Sequence, residues 1–325
     1  MRAIIPVAGF GSRLKPHTYS IPKVLMNVGG KPILGHIIDS LLDQNITKAT
    51  FIYGHLGDMV IDYVNQNYPS LSSEFIEQKE LLGLGHAIYT AVPTFDNEEI
   101  FIILGDTIFD VDLKKVFKSD KSSLGVKYVD DPARFGVAVL ENGIIKKLVE
   151  KPTSLISNIA LVGLYYIKNP HTLKKSLEKL VNEDMKTRGE YQLTDALQMM
   201  ITDGEEMTTF NVEGWYDCGK PETLLATNKY LLSHKGTHKL FPNSVVIPPV
   251  FIADTASINN SVIGPYTTIG DKAVVNSSII QDSIIGDGAK VSKALLDKSI
   301  IGNNTSIKGS YKRLNAGDSS EIDFF

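Results

Sequence analysis

The residues best suited to chemistry stand near the start of the chain. A short apolar strand, Ala3-Ile4-Ile5-Pro6-Val7, runs into Ala8-Gly9-Phe10-Gly11-Ser12-Arg13-Leu14-Lys15-Pro16-His17-Thr18, and Pro22-Lys23 follows. Glycines at 9 and 11 let the backbone turn tightly and bring bare N–H groups up to an anion. Arg13 and Lys23 add two cations of different geometry. Ala8, Gly9, Gly11 and Ser12 therefore read as a nucleotide-binding loop whose ligand carries several phosphates. A dinucleotide fingerprint needs glycine where Leu14 stands, and no Gly-Lys-Ser/Thr follows to make a Walker A loop. Hydride transfer with a nicotinamide cofactor is thereby disfavoured.

The run resembles the opening signature of the sugar nucleotidylyltransferases, or NDP-sugar pyrophosphorylases, written Gly-x-Gly-Thr/Ser-Arg-Leu/Met, then Pro, then Pro-Lys. The match falls on Gly9, Gly11, Ser12, Arg13, Leu14, Pro16, Thr18, Pro22 and Lys23, with Lys31-Pro32 after it. The resemblance implies an enzyme that joins a nucleoside triphosphate to a sugar 1-phosphate and releases pyrophosphate. Such a reaction brings two anions together. Unit charges about 4 Å apart interact by roughly 4 kcal/mol at an effective dielectric of about 20, so cations must act first. Arg13 and Lys23 are the expected catalytic pair. The loop length is similar to that of UDP-glucose and GDP-mannose pyrophosphorylases.

The same resemblance assigns the rest of the site. The family's two magnesium-binding aspartates fall on Asp106, in Gly105-Asp106-Thr107, and on Asp217, in Tyr216-Asp217-Cys218-Gly219. Hard carboxylates in small number suit Mg²⁺, which keeps positions for water and phosphate oxygens. Taken without the resemblance, each is an ordinary turn residue after a strand. Pyrimidine-specific members read the base with a glutamine that precedes a glycine, here Gln78 and Gly83. An amide offers a donor and an acceptor, which suits uracil or thymine and points to UTP or dTTP. His86, just beyond, reads as a packing or capping residue. The sugar phosphate is implied to meet Gly136, Glu150, Lys151, Val162 and Thr194. Glu150 can accept from two hydroxyls, and Lys151 can pair with the phosphate. Glucose 1-phosphate is the expected acceptor. Two alternatives stay open. One is a mannose-1-phosphate guanylyltransferase, which Gln78 opposes. The other is a catalytically inactive regulatory homologue, which the presence of Arg13, Lys23, Asp106 and Asp217 opposes.

These residues need a scaffold, and the apolar pattern supplies one. Residues 3–7, 49–53, 75–77 and 100–104 read as strands alternating with helical segments, the rhythm of a Rossmann-like open α/β sheet. Ligands on such sheets lie at the carboxyl ends of strands, where the Gly9 loop and Asp106 both fall. Pro32 is expected as the first helical residue before Ile33–Leu42. Residues 124–129, 137–140, 144–150 and 159–167 read as strands of a sugar-side extension to a mixed sheet.

Beyond residue 244 aliphatic residues recur every five or six positions: Ile252, Ile258, Ile263, Ile269, Val275, Ile280, Ile285, Val291, Leu296, Ile301 and Ile307. This resembles the hexapeptide repeat of left-handed parallel β-helices, in roughly three to four coils. The expected organisation is a nucleotidyltransferase domain over residues 1–236, a linker over 235–246, and a left-handed β-helix over 245–310. No histidine lies beyond His238, so an acyl-transferring site in the tail is not expected. The tail reads as a spacer or a surface for homo-oligomer assembly, a role the catalytic domain could share.

Composition sets the outer limits. The chain has 325 residues, 43% of them hydrophobic, enough to bury a large core. Lys plus Arg number 33 against 37 Asp plus Glu, a net charge of −4, which excludes a nucleic-acid binder that works by phosphate neutralisation. A single cysteine, Cys218, excludes an intrachain disulfide. No apolar run suits a membrane span and no signal-peptide pattern opens the chain, so a cytoplasmic location is expected.

Overall fold

The structure is a computed structural model that describes residues 1–235 and 241–309. Contacts divide the chain into two compact units. The first holds Met1–Met26 and Lys31–Thr227; the second holds Asn27–Gly30 and the chain from Asn228 onward. Part of the linker expected over 235–246 lies outside the described residues. At its two ends the helix Pro221–Lys235 is still running and the strand Val245–Val246 has begun.

The first unit is built on four parallel strands, β1 (Arg2–Pro6), β2 (Lys48–Tyr53), β3 (Ser72–Glu77) and β4 (Ile100–Ile103). Ala3 stands opposite Ala49 on one side of β1, and Arg2 opposite Ile100 on the other. Strands covered on both faces carry continuous apolar runs, and Ala3, Ile4 and Ile5 are fully buried. Next come β5 (Thr107–Asp110), β6 (Ser122–Tyr128), β7 (Gly136–Glu141), β8 (Ile144–Glu150), β9 (Ile159–Ile167), β10 (Met207–Asn211) and β11 (Gly214–Asp217). Nine of these make one mixed sheet in the order β3-β2-β1-β4-β9-β6-β10-β8-β7, while β5 and β11 pair apart from it. Because the crossovers run both ways from β1, the sheet opens a crevice at the carboxyl ends beside it, where ligands of open α/β sheets bind.

The helix Ile33–Leu42 buries Ile33, Leu34, Ile37, Ile38 and Leu41 on one face, as its spacing predicts. Pro32 corrects an expectation. It stands outside the helix as the N-cap, with extended ψ of 147°, and Ile33 opens the helix. Pro32 is also drawn into the short strand Lys31–Pro32, which holds it extended.

The second unit is a left-handed parallel β-helix. Three four-stranded parallel sheets stack its coils. Along one face the register runs Ile252, Ile269, Ile285, Ile301, advancing 17, then 16, then 16 residues. Of the eleven aliphatic positions in the pattern, the eight from Ile252 to Val291 are buried in one core, and Leu296, Ile301 and Ile307 pack against it. Within this unit Asn228 is fully buried, with both ends of its amide bonded. Its Oδ1 accepts from Gly29 N at 2.9 Å and Thr268 Oγ1 at 2.6 Å, and its Nδ2 donates to Tyr266 O at 2.9 Å. Among the described residues, no helix is long and apolar enough to cross a membrane.

Candidate active site

The loop after β1 is shaped by one glycine rather than two. Gly11 has φ +61°, and a β-carbon there would lie 2.9 Å from Thr18 Cγ2 and 3.0 Å from Lys23 Cβ. Gly9 has no heavy atom within 4 Å of that position, so it leaves open space where a ligand backbone or phosphate can approach. Thr18 Oγ1 donates to Gly11 O at 2.9 Å, and Leu14, fully buried, pins the loop from beneath. Ala8 is buried, whereas Ser12 and Arg13 are exposed.

Lys23 is unlike Arg13. Its side chain is only 9% exposed, and Nζ lies 2.6 Å from Asp106 Oδ2. The Asp106 carboxylate keeps 40% of its surface, and its other oxygen accepts from Thr107 Oγ1 at 3.2 Å. Strand pairing brings in Asp217 from far along the chain. Residue 217 stands opposite Thr107 in the antiparallel β5–β11 pair, and Cys218 N donates to Asp106 O at 3.1 Å. A β-carbon on Gly219 would lie 2.8 Å from Arg13 Nη2 and 2.8 Å from Asp217 Oδ1, so guanidinium and carboxylate flank one spot of bare backbone. Cys218 lies buried beneath. Burial pushes its thiol up to about 12, with the charges of Asp106 and Asp217 acting the same way and Thr227 and Lys23 opposing. Two cations and two carboxylates thus meet in one patch.

Gln78 follows β3 directly and donates its backbone N–H to Tyr53 O at 2.8 Å. Its side chain is buried, with Nε2 3.4 Å from Gly83 O and 3.3 Å from His86 Nδ1. Gly83 has φ +113°, and a β-carbon there would strike Tyr191 O at 2.5 Å. The sugar-side residues form a third group. Thr194 Oγ1 donates to Glu150 Oε2 at 2.7 Å, Lys151 Nζ lies 3.5 Å from Glu150 Oε1, and a β-carbon on Gly136 would sit 2.9 Å from both Glu150 Oε2 and Thr194 Oγ1. Val162 is buried in β9, next to a bulge where Gly163 takes φ +89° and accepts from Leu104 N at 3.1 Å. That bond ties the sugar-side strand to the segment leading into Asp106.

One stretch that sequence reading used only for Thr194 joins the last two groups. Tyr191 N donates to Leu82 O at 2.8 Å and Tyr191 O accepts from Gly85 N at 2.8 Å, while Thr194, three residues on, holds Glu150. His86 also makes a contact that sequence reading missed, because its approach to Gln78 depends on how residues 78–83 fold back. Its position three residues after Gly83 was the available signal.

A nucleotidyl transferase family model matches residues 2–234, and a GlmU-like C-terminal hexapeptide model matches residues 227–310. The chain is 37% identical over 262 residues to the bifunctional protein GlmU of Methanocaldococcus jannaschii, covering 79% of this chain but 61% of that one. It is 32% identical over 231 residues to the UTP–glucose-1-phosphate uridylyltransferase AglF of Haloferax volcanii, covering 68% of this chain and 93% of the relative. A crystal structure of UDP-glucose pyrophosphorylase complexed with UDP-glucose superposes with a TM-score of 0.61 at 23% identity, over 72% of this chain and 98% of that one, which speaks for the fold. With a nucleotidyl transferase model spanning residues 2–234, well over half of the chain, this chain belongs to the nucleotidyl transferase family and carries a GlmU-like C-terminal hexapeptide region.

Proposed function

We propose that this chain transfers the nucleotidyl group of UTP or dTTP to a sugar 1-phosphate, with glucose 1-phosphate as the preferred acceptor, and releases pyrophosphate. The observation that carries the reading is the single patch of Arg13, Lys23, Asp106 and Asp217, on a sheet whose strand β3 leads into Gln78 and whose strand β8 ends on Glu150, held by Thr194. The likeness to AglF, a UTP–glucose-1-phosphate uridylyltransferase, supports the substrate class.

In this reading the triphosphate lies on the loop from Ala8 to Arg13, where Gly9 leaves it room. The sugar phosphate oxygen is already an anion and needs no general base. It attacks the α-phosphorus, forming one O–P bond while the bond to the pyrophosphate oxygen breaks in line. Arg13 is placed to neutralise charge on the phosphates from the solvent side. Lys23 acts from the buried side, where the low dielectric makes its charge count for more. Glu150 receives sugar hydroxyls and Lys151 draws in the acceptor phosphate.

Mg²⁺ fits the donor set. Asp106, directly before β5, and Asp217, at the end of its partner β11, offer hard oxygens, and among the described residues no group of three or more His, Cys, Asp or Glu forms around them. Two carboxylates suffice for an ion that completes its shell with water and substrate phosphate. When bound it would shield phosphate charge as a Lewis acid. Measuring pyrophosphate release over UTP, dTTP, CTP, GTP and ATP, each with glucose, galactose, N-acetylglucosamine and mannose 1-phosphates, tests the whole proposal. Turnover with GTP and mannose 1-phosphate alone would replace it.

The tail is assigned to self-association. Its outward column Val245, Val262, Ile279, Leu295 is in register and uncharged, with Val245 55%, Ile279 49% and Leu295 80% exposed. A neutral aliphatic face fits another copy of itself. Light scattering should find an oligomer that Leu295→Glu dissociates; a monomeric wild type would remove the assignment. A cytoplasmic location completes the reading, in keeping with one unpaired, buried cysteine.

A further inference from the structure

Gln78 is fixed in one orientation by its neighbours. Its Nε2 faces the Gly83 carbonyl oxygen at 3.4 Å and His86 Nδ1 at 3.3 Å. An amide oxygen in that place would oppose the carbonyl acceptor to acceptor, so the nitrogen belongs there. The NH₂ group thus turns toward both the carbonyl and the imidazole. Nδ1 can receive a proton donor only when unprotonated, which puts the ring proton on Nε2. Burial draws the His86 pKa below its ordinary value, more strongly than Glu80 raises it, and so favours the neutral ring. The ring itself is stacked on Tyr191, with centroids 6.1 Å apart and planes at 26°. What is left of the amide is Oε1, which has no hydrogen-bond partner among the described residues and is not a buried orphan.

We propose that His86 is a positioning residue for base recognition, holding the Gln78 amide in the orientation that turns its oxygen toward the imino edge of the base. The site then accepts a base with an imino N–H, as uracil and thymine have at N3. It refuses cytosine, whose N3 is itself an acceptor. The inference rests on Gln78 as the base-reading residue. It narrows that reading, since a free amide could serve either kind of base.

The test is calorimetric binding of UTP, CTP and N3-methyl-UTP, in magnesium buffer, to the full chain and three variants. Wild type should bind UTP at least about tenfold tighter than either analogue, because a site built around one hydrogen bond leaves its oxygen unpaired or repelled when the partner is wrong. His86→Phe keeps a ring against Tyr191 but offers no acceptor, and it should bring the UTP to CTP ratio toward one. His86→Asn, whose Oδ1 can stand near the place of Nδ1, should restore most of the ratio. A folded His86→Phe variant with the wild-type ratio overturns the role of His86. Gln78→Ala separates the two readings: if it too leaves the ratio unchanged, Gln78 does not read the base at all. Selective ¹⁵N-histidine labelling of the wild type needs no substitution. It should show His86 as the neutral Nε2–H tautomer near pH 7.5, and an Nδ1–H tautomer or an imidazolium there overturns the proposal.

Discussion

The two units of the chain use unusual backbone in opposite ways. In the β-helix, positive φ recurs in columns, at Asn260, Ser277 and Lys293, at Tyr266, Asp282 and Lys298, and at Lys272, Gly288 and Asn304. Every coil repeats the same corner, so each departure is supported by an identical one above or below. In the nucleotidyl transferase unit such residues form no column and stand singly or in adjacent pairs. Some only close helices and hairpins, as at Asn45, Asn142 and Gly204. Four others, Gly11, Gly83, Lys151 and Gly163, fall in the segments that meet substrate in the proposed reading. Periodic irregularity is architecture, because the stack supplies its surroundings. Irregularity outside a repeat must be held by contacts of its own.

If the features outside the repeat serve chemistry, the residues they gather should be dispensable for folding but not for turnover. Asp106→Asn and Asp217→Asn are expected to lower kcat by roughly 10²–10³-fold, in the range for losing one transition-state charge partner. Circular dichroism should stay close to wild type in both, and so should the thermal midpoint of Asp217→Asn, whereas that of Asp106→Asn should fall because the buried Lys23 ammonium loses its counter-charge. Activity within a few-fold of wild type in either variant would break the assignment of the carboxylates. Chelation should abolish turnover and added Mg²⁺ restore it.

Gly11→Ala tests the loop against an ordinary hairpin. The new methyl would meet both the φ of +61° and Thr18 Cγ2 at 2.9 Å. We expect a stability loss of about 1–3 kcal/mol in urea titration together with a raised KM for the triphosphate. Gly143→Ala, at φ +78° with nothing within 4 Å, should lose only the backbone term of about 1 kcal/mol and leave KM alone. Equal effects on KM would erase the distinction between site and hairpin.

How much of this was legible before the structure follows from the range of the contacts involved. Strands β8 and β9 stand at the bounds expected, since alternation and apolar runs are local signals. The β-helix was readable for the same reason, for a step of five or six residues is itself the fold. Arg13, Asp106 and Asp217 could be named, but their convergence depends on the β5–β11 pairing between segments about a hundred residues apart, which no local pattern carries. The Lys23–Asp106 bond and the Gln78–His86 contact were hidden because each requires a side chain to turn inward from a loop. The path of residues 82–85 along Tyr191 was hidden likewise, as backbone-to-backbone bonds leave no mark on residue type.

Within the β-helix unit, Asn228 is the place where a single, non-repeating group matters. Removing its amide strands Gly29 N, Thr268 Oγ1 and Tyr266 O. Asn228→Ala should cost about 2–3 kcal/mol, the penalty of leaving buried polar groups unsatisfied, and a denaturant midpoint reads it directly. A cost below about 0.5 kcal/mol would mean that water replaces the amide at little expense.

The smallest effect is expected where the comparison is sharpest, at a repeated corner. Lys298 is exposed with φ +46°. Glycine there relieves the clash of a β-carbon in the left-handed region, worth about 1 kcal/mol. It also loosens the unfolded chain, which returns roughly 0.4–1 kcal/mol of the gain. The two nearly cancel, so Lys298→Gly should move stability by no more than about 0.5 kcal/mol. Lys298→Val should cost more than either, because branching at Cβ crowds that conformation most. If Lys298→Gly instead cost as much as Gly11→Ala, the corner would be holding something beyond its own coil, and periodicity would no longer mark structure off from function.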